Sequence, residues 1–526
     1  VYNTLLQGLG LTNRWVREFD LLDQMYVDPQ SKSVLEELKE PTTFRGLLFR
    51  SVELLLTNNH KDKLATSEMM IKGYERVPGL IYNELVKAIR LQQSSPLRKQ
   101  KQVTMSPFTI WTGLTSDTSK ILIEEINPIK ELRESEAVTF KGTGGRSGRT
   151  MPEADRAYHQ DSVGIISEAT KDSGDVGIDT FISPNANIIN VRGLTSRHVD
   201  DKNSSSLLST VALLCPGSTN DDPKRTLFAG IQAEHAVACD GYHAPTVRTG
   251  YESVIQDRTS PLYAYTAKQP GKVKEITSNF ILIEYQDKTS AGYQLGRIYG
   301  KAAGLTIPHY VTTQLKVDDK VEVGDCICYN TGFMEPDYHN PKRVLFKNYK
   351  TVKTVLLEDD TTIEDSSSIT KEVADSLSTN VTKIKDIVIS FDQSVRGLLK
   401  PGTVVESDTV LCYIEDQTTS AGDLFSDESL EQLSALGRHA PTAKTSGVLE
   451  RIEVFYHGEI EDMSQSLASL VREKDKELIR IAKAQGKPEH TGSVTGDFRI
   501  EGKALNIDSA CIRIYITSKV STGIGD

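Results

Sequence analysis

Two short phrases each occur twice, and they constrain the fold more than any other feature. Pro270-Gly271-Lys272-Val273-Lys274-Glu275-Ile276 returns as Ser446-Gly447-Val448-Leu449-Glu450-Arg451-Ile452. Lys320-Val321-Glu322-Val323-Gly324-Asp325 returns as Lys400-Pro401-Gly402-Thr403-Val404-Val405. A glycine beside a β-branched run supplies the tight turn of a small hairpin. The copies are too irregular for a solenoid. They predict small β-barrel or sandwich-like modules. Biotinyl and lipoyl carriers use such modules as well, but a carrier presents a lysine at a hairpin tip, typically in an M-K-M setting, which is not present.

Outside these phrases the pattern changes. Residues 1–105 read as mostly helical, with apolar residues three and four apart over Phe44 to Leu56 and Met69 to Leu91. Ser94-Ser95-Pro96 breaks that pattern, and Arg98, Lys99 and Lys101 follow as a small basic cluster, either a solvated linker face or a phosphate contact. Residues 106–260 are loop-rich, and short strands fill 261–330. Glu459 to Ala484 is the clearest helix: Ile460, Met463, Leu467, Leu470, Val471, Leu478 and Ile481 form one stripe, which predicts a short arm packing on itself or a partner. Ala510 to Val520 alternates as a strand.

The bulk properties exclude several classes. At 526 residues, three or four domains are expected. No apolar run approaches the roughly 20 residues that span a bilayer. The opening VYNTLLQGLG has neither a basic n-region nor a signal-peptide core, and no initiator Met. A net charge of −11 argues against a free-standing, non-specific DNA binder, though not against one subunit of a larger nucleic-acid machine. The six cysteines, Cys215, Cys239, Cys326, Cys328, Cys412 and Cys511, show no C-x-x-C pairing. They read as small buried hydrophobes in a reducing compartment, with Cys326 and Cys328 on one strand face. The ten histidines have no metal-ligand spacing.

Three stretches could carry chemistry. Gly142 to Thr150 (GTGGRSGRT) first suggests a phosphate loop, but it is one residue too long for G-x-x-x-x-G-K-[ST] and has Arg149 where the lysine belongs. A flexible surface loop, or a mobile loop whose Arg146 and Arg149 meet DNA phosphates, fits better. The acidic groups Glu358-Asp359-Asp360 and Glu364-Asp365 are either a solvated turn or carboxylates able to approach Mg²⁺. The third stretch is Asp221 to Glu252, DDPKRTLFAGIQAEHAVACDGYHAPTVRTGYE. There Asp222 and Arg225 open an apolar, helix-capable run, and a Pro- and Gly-marked loop carries Arg248. An arginine starting a helix is either a surface or ion-pairing residue or a bidentate phosphate ligand.

The order of these words resembles the β subunit of multisubunit DNA-directed RNA polymerases. Arg225-Thr226-Leu227-Phe228, Ala236-Val237 and Pro245-Thr246-Val247-Arg248-Thr249-Gly250-Tyr251-Glu252 follow the family's N-R-A-L-M-G-x-N-M-Q-R-Q-A-V-P and P-x-V-G-T-G-M-E. Gly142, Gly144 and Gly145 follow G-P-G-G-L-T-R-E-R-A-G, with the arginines offset. Thr361 to Thr370 aligns with G-Y-N-F-E-D-A-I-L-I-S-E through Glu364-Asp365, without the Tyr-Asn. Ile512 to Lys519 and Gly525-Asp526 follow V-K-V-Y-x-A-x-K-R-K-x-x-x-G-D and stop before K-M, as in the split β subunits of giant bacteriophages. The resemblance is good from about 135 to 260, recognisable from 310 to 526 and weak before 105. The rifamycin-pocket wording H-K-R-R-I-S-A-L is replaced by Glu134 to Lys141, which predicts insensitivity to those drugs.

The resemblance implies an α+β, multidomain β-like chain. Its parts are a helical lobe or fork-like region (1–105), a fork and cleft-lining region (106–260), a β-barrel hybrid region with the E-D pair (261–394), a flap-like module with a helical arm (395–505) and a strand continued by another chain (506–526). It implies a subunit of a phage DNA-dependent RNA polymerase, active only when assembled. Arg225 and Asp222 would serve the nucleotide, Glu364 and Asp365 would lie near the second of two Mg²⁺ ions, and Arg146 and Arg149 would touch DNA. The implied partners are a β C-terminal-like chain carrying K-M and H-G-N-K-G, β′-like chains whose N-A-D-F-D-G-D holds the permanent metal, a promoter-specificity subunit, template DNA, RNA and NTPs, with no membrane. The place of action would be the infected host's cytoplasm or the virion. The rival from another class is a β-rich structural or interaction protein of a virion.

Overall fold

The computed structural model describes residues 27–57, 76–94, 104–118, 120–142, 148–158, 162–189, 203–302, 304–358, 360, 362–364, 366–416, 439–484, 487–500 and 502–523. Arg98, Lys99, Lys101, Arg146, Asp359 and Asp365 lie outside them.

Helices and sheet are mixed along the chain, as the α+β class requires. The helices Pro29–Glu37, Phe44–Thr57, Arg76–Ser94 and Pro107–Thr115 dominate the first part, as the apolar spacing predicts. Four helices start with one local device. Asp28-Pro29, Ser106-Pro107, Asn127-Pro128 and Asp222-Pro223 each pair a side-chain cap with a proline at the first helical position. The cap satisfies an orphan backbone N–H, and the proline has none to leave unpaired.

The main sheet has eight strands. Its path runs Val404–Val405, Gly447–His457, Ser509–Val520, Thr379–Ser390, Leu305–Thr312, Cys326–Asn330 and Ala264–Thr266, with Gly296–Ala302 also pairing with Leu305–Thr312. Ser509–Val520 is central. It pairs antiparallel with Thr379–Ser390 from Ser509↔Ser390 to Val520↔Thr379, and with Gly447–His457 on its other edge. The sheet therefore continues across the divisions expected at 394 and 505. Alternation explains the strand's two faces. Ile512, Ile514 and Ile516 enter the core with Ile387, Ile389, Leu449 and Val454. Arg513 and Tyr515 face the other way. Arg513 makes a two-pronged contact with Asp386 at 2.7 and 2.8 Å, Tyr515 stacks on Tyr299 at 4.3 Å, and its hydroxyl donates to Glu453 at 2.8 Å.

The structure holds two similar units: Pro270–Ile276 matches Ser446–Ile452 in the register of the wording, but Lys320–Asp325 is matched by Val404–Thr409, beyond the recurring Lys400–Val405 phrase. Gly271 pairs with Val321, and Gly447 pairs with Val405. The Val273 N–H donates to Asp319 O at 2.9 Å, and the Leu449 N–H donates to Thr403 O at 2.9 Å. Both hairpin turns close alike: Glu322 N–H donates to Asp325 Oδ2 at 2.9 Å, and Glu406 N–H to Thr409 Oγ1 at 2.8 Å. Ala267 N–H then reaches Asp325 O and Ala443 N–H reaches Thr409 O, each at 2.9 Å. Val273, Val321, Ile327 and Cys328 are buried in one copy; Leu449, Val405, Leu411 and Cys412 are buried in the other. The halves occur in opposite chain order, so one copy is a circular permutation of the other.

Two local expectations are corrected. The stripe on Glu459 to Ala484 does not form an arm. The chain makes a 3-10 turn at Ile460–Asp462, then a helix Gln465–Ala484, and Met463, Leu467, Ala468 and Val471 fill the core beneath the main sheet. Burying that stripe on the chain's own sheet removes the apolar surface an arm would present. Cys326 and Cys328 do not share a simple face, because a β-bulge lies between them. All six cysteines are free, and burial pushes the Cys328 thiol up to about 12.

Candidate functional site

The segment Asp221 to Glu252 folds around the helix Pro223–Glu234, hereafter the site helix. Asp222 is its N-cap and accepts from Lys224 N–H at 3.2 Å. That backbone hydrogen bond holds the Asp222 carboxyl below its ordinary value, with further help from the Lys224 and Arg225 charges. Thr226, Leu227 and Gly230 face inward, which turns Lys224, Arg225, Phe228 and Gln232 to solvent. Arg225 has no side-chain hydrogen bond or ion pair among the described residues, and a helix N-terminus favours an anion there.

The helix is mounted on buried polar groups. Asn127 carries out two tasks. Its Oδ1 accepts from Lys130 N–H at 2.8 Å, capping the helix Pro128–Glu136. Its Nδ2 lies 2.7–3.0 Å from the carbonyls of Ala233, Glu234 and Ala236, at and just past the C-terminus of the site helix. Arg133 lies under the helix: its Nε donates to Glu234 at 2.9 Å, and its guanidinium sits 4.3 Å above the Phe181 ring. Gly230 makes room for it, because a Cβ there would stand 2.5 Å from Arg133 Nη1. Beside it, Arg258 donates to Glu136 at 2.7 Å, to Thr210 at 3.0 Å and to Tyr251 at 2.9 Å. Burial raises the Glu136 carboxyl above its ordinary value, and Arg258 opposes that rise.

The loop after the helix is also fixed. Glu252 is fully buried and accepts from Thr249 and Gly250 N–H at 3.2 and 2.9 Å. Gly250 takes φ +93°, a left-handed conformation that suits glycine, and the turn leaves Arg248 exposed. Residues 238–243 form a junction. His243 N–H donates to Tyr349 O at 3.0 Å, and His243 Nε2 accepts from Thr351 N–H at 3.1 Å. Asp240 N–H donates to Ser378 O at 3.0 Å, and the Thr379 hydroxyl donates to Ala238 O at 2.6 Å. Lys519, near the end of the central strand, pairs with Asp240 at 2.6 Å.

Between Thr351 and Thr370 the described residues form no helix or strand; Thr351 is tied to that junction, and after the helix Lys371–Ser376 so are Ser378 and Thr379. Glu364 lies between Thr351 and Thr370, exposed and at φ +53°. No hydrogen bond or ion pair joins Glu364 to Arg225 or Asp222 among the described residues. Arg149 stands exposed on a single 3-10 turn, Gly148–Thr150. Among the described residues no three His, Cys, Asp or Glu side chains are grouped to hold a metal ion. No helix of the described residues is long and apolar enough to cross a membrane.

Sequence reasoning named Asp222 and Arg225 but missed Asn127, Arg133, Glu136, Gly230 and Arg258. Asn127-Pro128 carried the cap-and-proline signal. The others act through contacts across about a hundred residues and leave no local pattern.

No curated protein matches the chain. Residues 1–148 match the family model described as bacteriophage RNA polymerase. That match covers the stretch in which the β-subunit wording is thinnest, so the two lines of similarity lie mostly on different parts of the chain. The chain is thus similar over its first 148 residues to bacteriophage RNA polymerase, which supports a phage RNA polymerase-related function in transcription.

Proposed function

We propose that this chain is a β-like subunit of a multisubunit phage RNA polymerase, similar to the split β subunits of giant phages. It would act within a complex that joins a nucleotide to an RNA 3′ end under template direction and releases pyrophosphate. One observation carries this reading: three stretches far apart in sequence meet at residues 238–243. They are the loop after the Arg225 helix, both ends of the segment bearing Glu364, and the end of the central strand at Lys519. These are the stretches that carry the β-like wording.

In this reading Arg225, exposed and without a side-chain partner among the described residues, binds the triphosphate through its planar fork of donors. Asp222 orders the helix start beside it. Glu364 and Asp365 approach the second metal, while the permanent Mg²⁺ belongs to a β′-like partner. Arg146 and Arg149 meet DNA phosphates on the Gly-rich loop. The test is Arg225→Ala in the assembled enzyme. The expected result is a raised KM for nucleotides with assembly and promoter DNA binding kept; normal elongation at limiting nucleotide rejects the role. A β-rich virion protein is the alternative, and a chain that purifies alone without polymerase partners would favour it.

A further inference from the structure

We propose that His309 is a proton-driven switch: a second proton on its ring turns the Asn330 side chain, and the turn at Gly332 then shifts against Ala238 in the junction. His309 lies on the strand Leu305–Thr312 and is 1% exposed. Its Nε2 is 2.8 Å from Glu125 O, and a carbonyl only accepts, so the ring proton sits on Nε2. Its Nδ1 is 3.0 Å from Asn330 Nδ2, so that nitrogen carries the lone pair and the amide donates to it. Asn330 is held in this orientation from its other side. Its Oδ1 accepts from Gly332 N–H at 2.9 Å, and its Nδ2 also reaches Leu262 O at 3.3 Å. These contacts fit one orientation of the amide and one tautomer of the ring.

A proton added at Nδ1 sets two donors against each other in the core. Turning the amide cures that clash, because Oδ1 then accepts from Nδ1–H, but it aims Nδ2 at the Gly332 N–H. The unpaired donor is thus passed from the ring to the turn. The turn is closely packed: Phe333 N–H donates to Asn330 O at 3.2 Å, and a Cβ on Gly332 would stand 2.7 Å from the Ala238 Cβ. Ala238 O accepts from the Thr379 hydroxyl at 2.6 Å, which carries the displacement into residues 238–243. On the far side of the ring, Glu125 is fixed to Lys301 by its own N–H at 3.1 Å and by its carboxylate at 2.9 Å. Three titratable groups face the imidazole: Glu125, Arg297 on the strand Gly296–Ala302, and Tyr263, whose ring stands edge-on at 5.5 Å. Burial holds the imidazole below its ordinary value; Arg297 acts in the same sense and Glu125 against it. A folded value below the unfolded one means that the closed arrangement is intact above the ordinary imidazole value and is lost as pH falls through the lowered one.

The experiment is a pH titration of the full chain by NMR with isotope-labelled histidine, the His309 signal being assigned through His309→Gln. The protection factor of the Gly332 amide is followed in parallel by hydrogen exchange. In the native chain His309 is expected to titrate below the ~6.5 of a free imidazole. Gly332 protection should fall about 10-fold or more with the same midpoint, the effect of leaving a buried donor unpaired. His309→Gln keeps a donor for Glu125 O and removes the titration, so Gly332 protection should no longer change over that range. Asn330→Asp offers an acceptor to the charged ring while still accepting from Gly332 N–H. It should raise the His309 midpoint above ~6.5 and leave Gly332 protected throughout. Titration of His309 with Gly332 protection unchanged overturns the switch. An ordinary His309 midpoint in the native chain, or unfolding of the whole chain before His309 titrates, overturns it as well. If Asn330→Asp does not fold, His309→Gln decides alone: protection that still falls with pH in that variant refutes the proposal.

Discussion

Gly230→Ala offers a test in which the ordinary rule gives the wrong sign. Replacing glycine by alanine inside a helix usually stabilises by roughly 0.5–1 kcal/mol, because the unfolded chain loses freedom. At position 230 the new methyl would lie 2.5 Å from Arg133 Nη1 and 3.2 Å from its Cζ. The guanidinium cannot simply step aside. Its Nε is bonded to Glu234 at 2.9 Å, its face rests on Phe181, and the side chain is only 5% exposed. Overpacking costs about 1–3 kcal/mol, and losing one partner of a buried pair costs about 3–5 kcal/mol. Subtracting the propensity gain from the overpacking cost leaves a net loss of about 1 kcal/mol, and more where the Arg133–Glu234 pair is broken. For a chain of this length the readout is a midpoint in urea or on heating, followed by helix signal, rather than an extrapolated free energy. The midpoint should fall. In an Arg133→Leu background the same methyl should raise it, because the obstructing group is gone. A rise in the native background would refute the claim that Arg133 occupies the space at Gly230.

Further outcomes follow from the same contacts. Asn127→Ala should lower the midpoint by the equivalent of about 2–3 kcal/mol, since a cap and the site helix's last carbonyls lose a partner; Asn127→Asp keeps the cap but faces those carbonyls with oxygen, so it should be no better than alanine. Glu131 is raised above its ordinary value by burial. Its folded value exceeds the unfolded one, so its contribution is fully present below the unfolded pKa and is lost as pH rises through the folded one. Glu131→Gln should therefore flatten the stability profile just above the ordinary carboxylate range, as pH-dependent melts would show. Asp222 behaves in the opposite way: its cap is present above the unfolded value and is lost as pH falls through the lowered one, and Asp222→Asn should remove that dependence. A rifamycin at a dose that stops a bacterial polymerase should leave the assembled enzyme active, as a run-off transcription assay can show.

The local features were legible and the long-range ones were not. Asp222-Pro223 and the apolar run after it marked the site helix, because caps and periodicity are written within a few residues. Alternation over Ala510 to Val520 marked a strand, yet nothing local placed it at the centre of a sheet between Thr379–Ser390 and Gly447–His457. The recurring phrases announced hairpins without showing that each phrase pairs with the other kind, since pairing depends on loop closure and packing. The stripe on Gln465–Ala484 was correctly seen, but its partner was not: a helix pattern says which face is buried and not against what. The left-handed backbone at Glu364 had no signature, because glutamate does not ordinarily adopt it.

The stretch tied at both ends to residues 238–243 has a consequence for how such a chain tolerates being cut. Thr351 to Glu358 is exposed and free of secondary structure, which makes it a preferred site for nicking or insertion. The residues before it are pinned through Tyr349 and Thr351, and those after it through Ser378 and Thr379. A break there removes none of these contacts, and its cost is the freedom that two separate chains lose on associating, so it falls as their concentration rises. Two polypeptides divided at this point should find each other and refold as a complementing pair. A gene coding for this surface could thus be interrupted between Thr351 and Glu358 with the junction preserved.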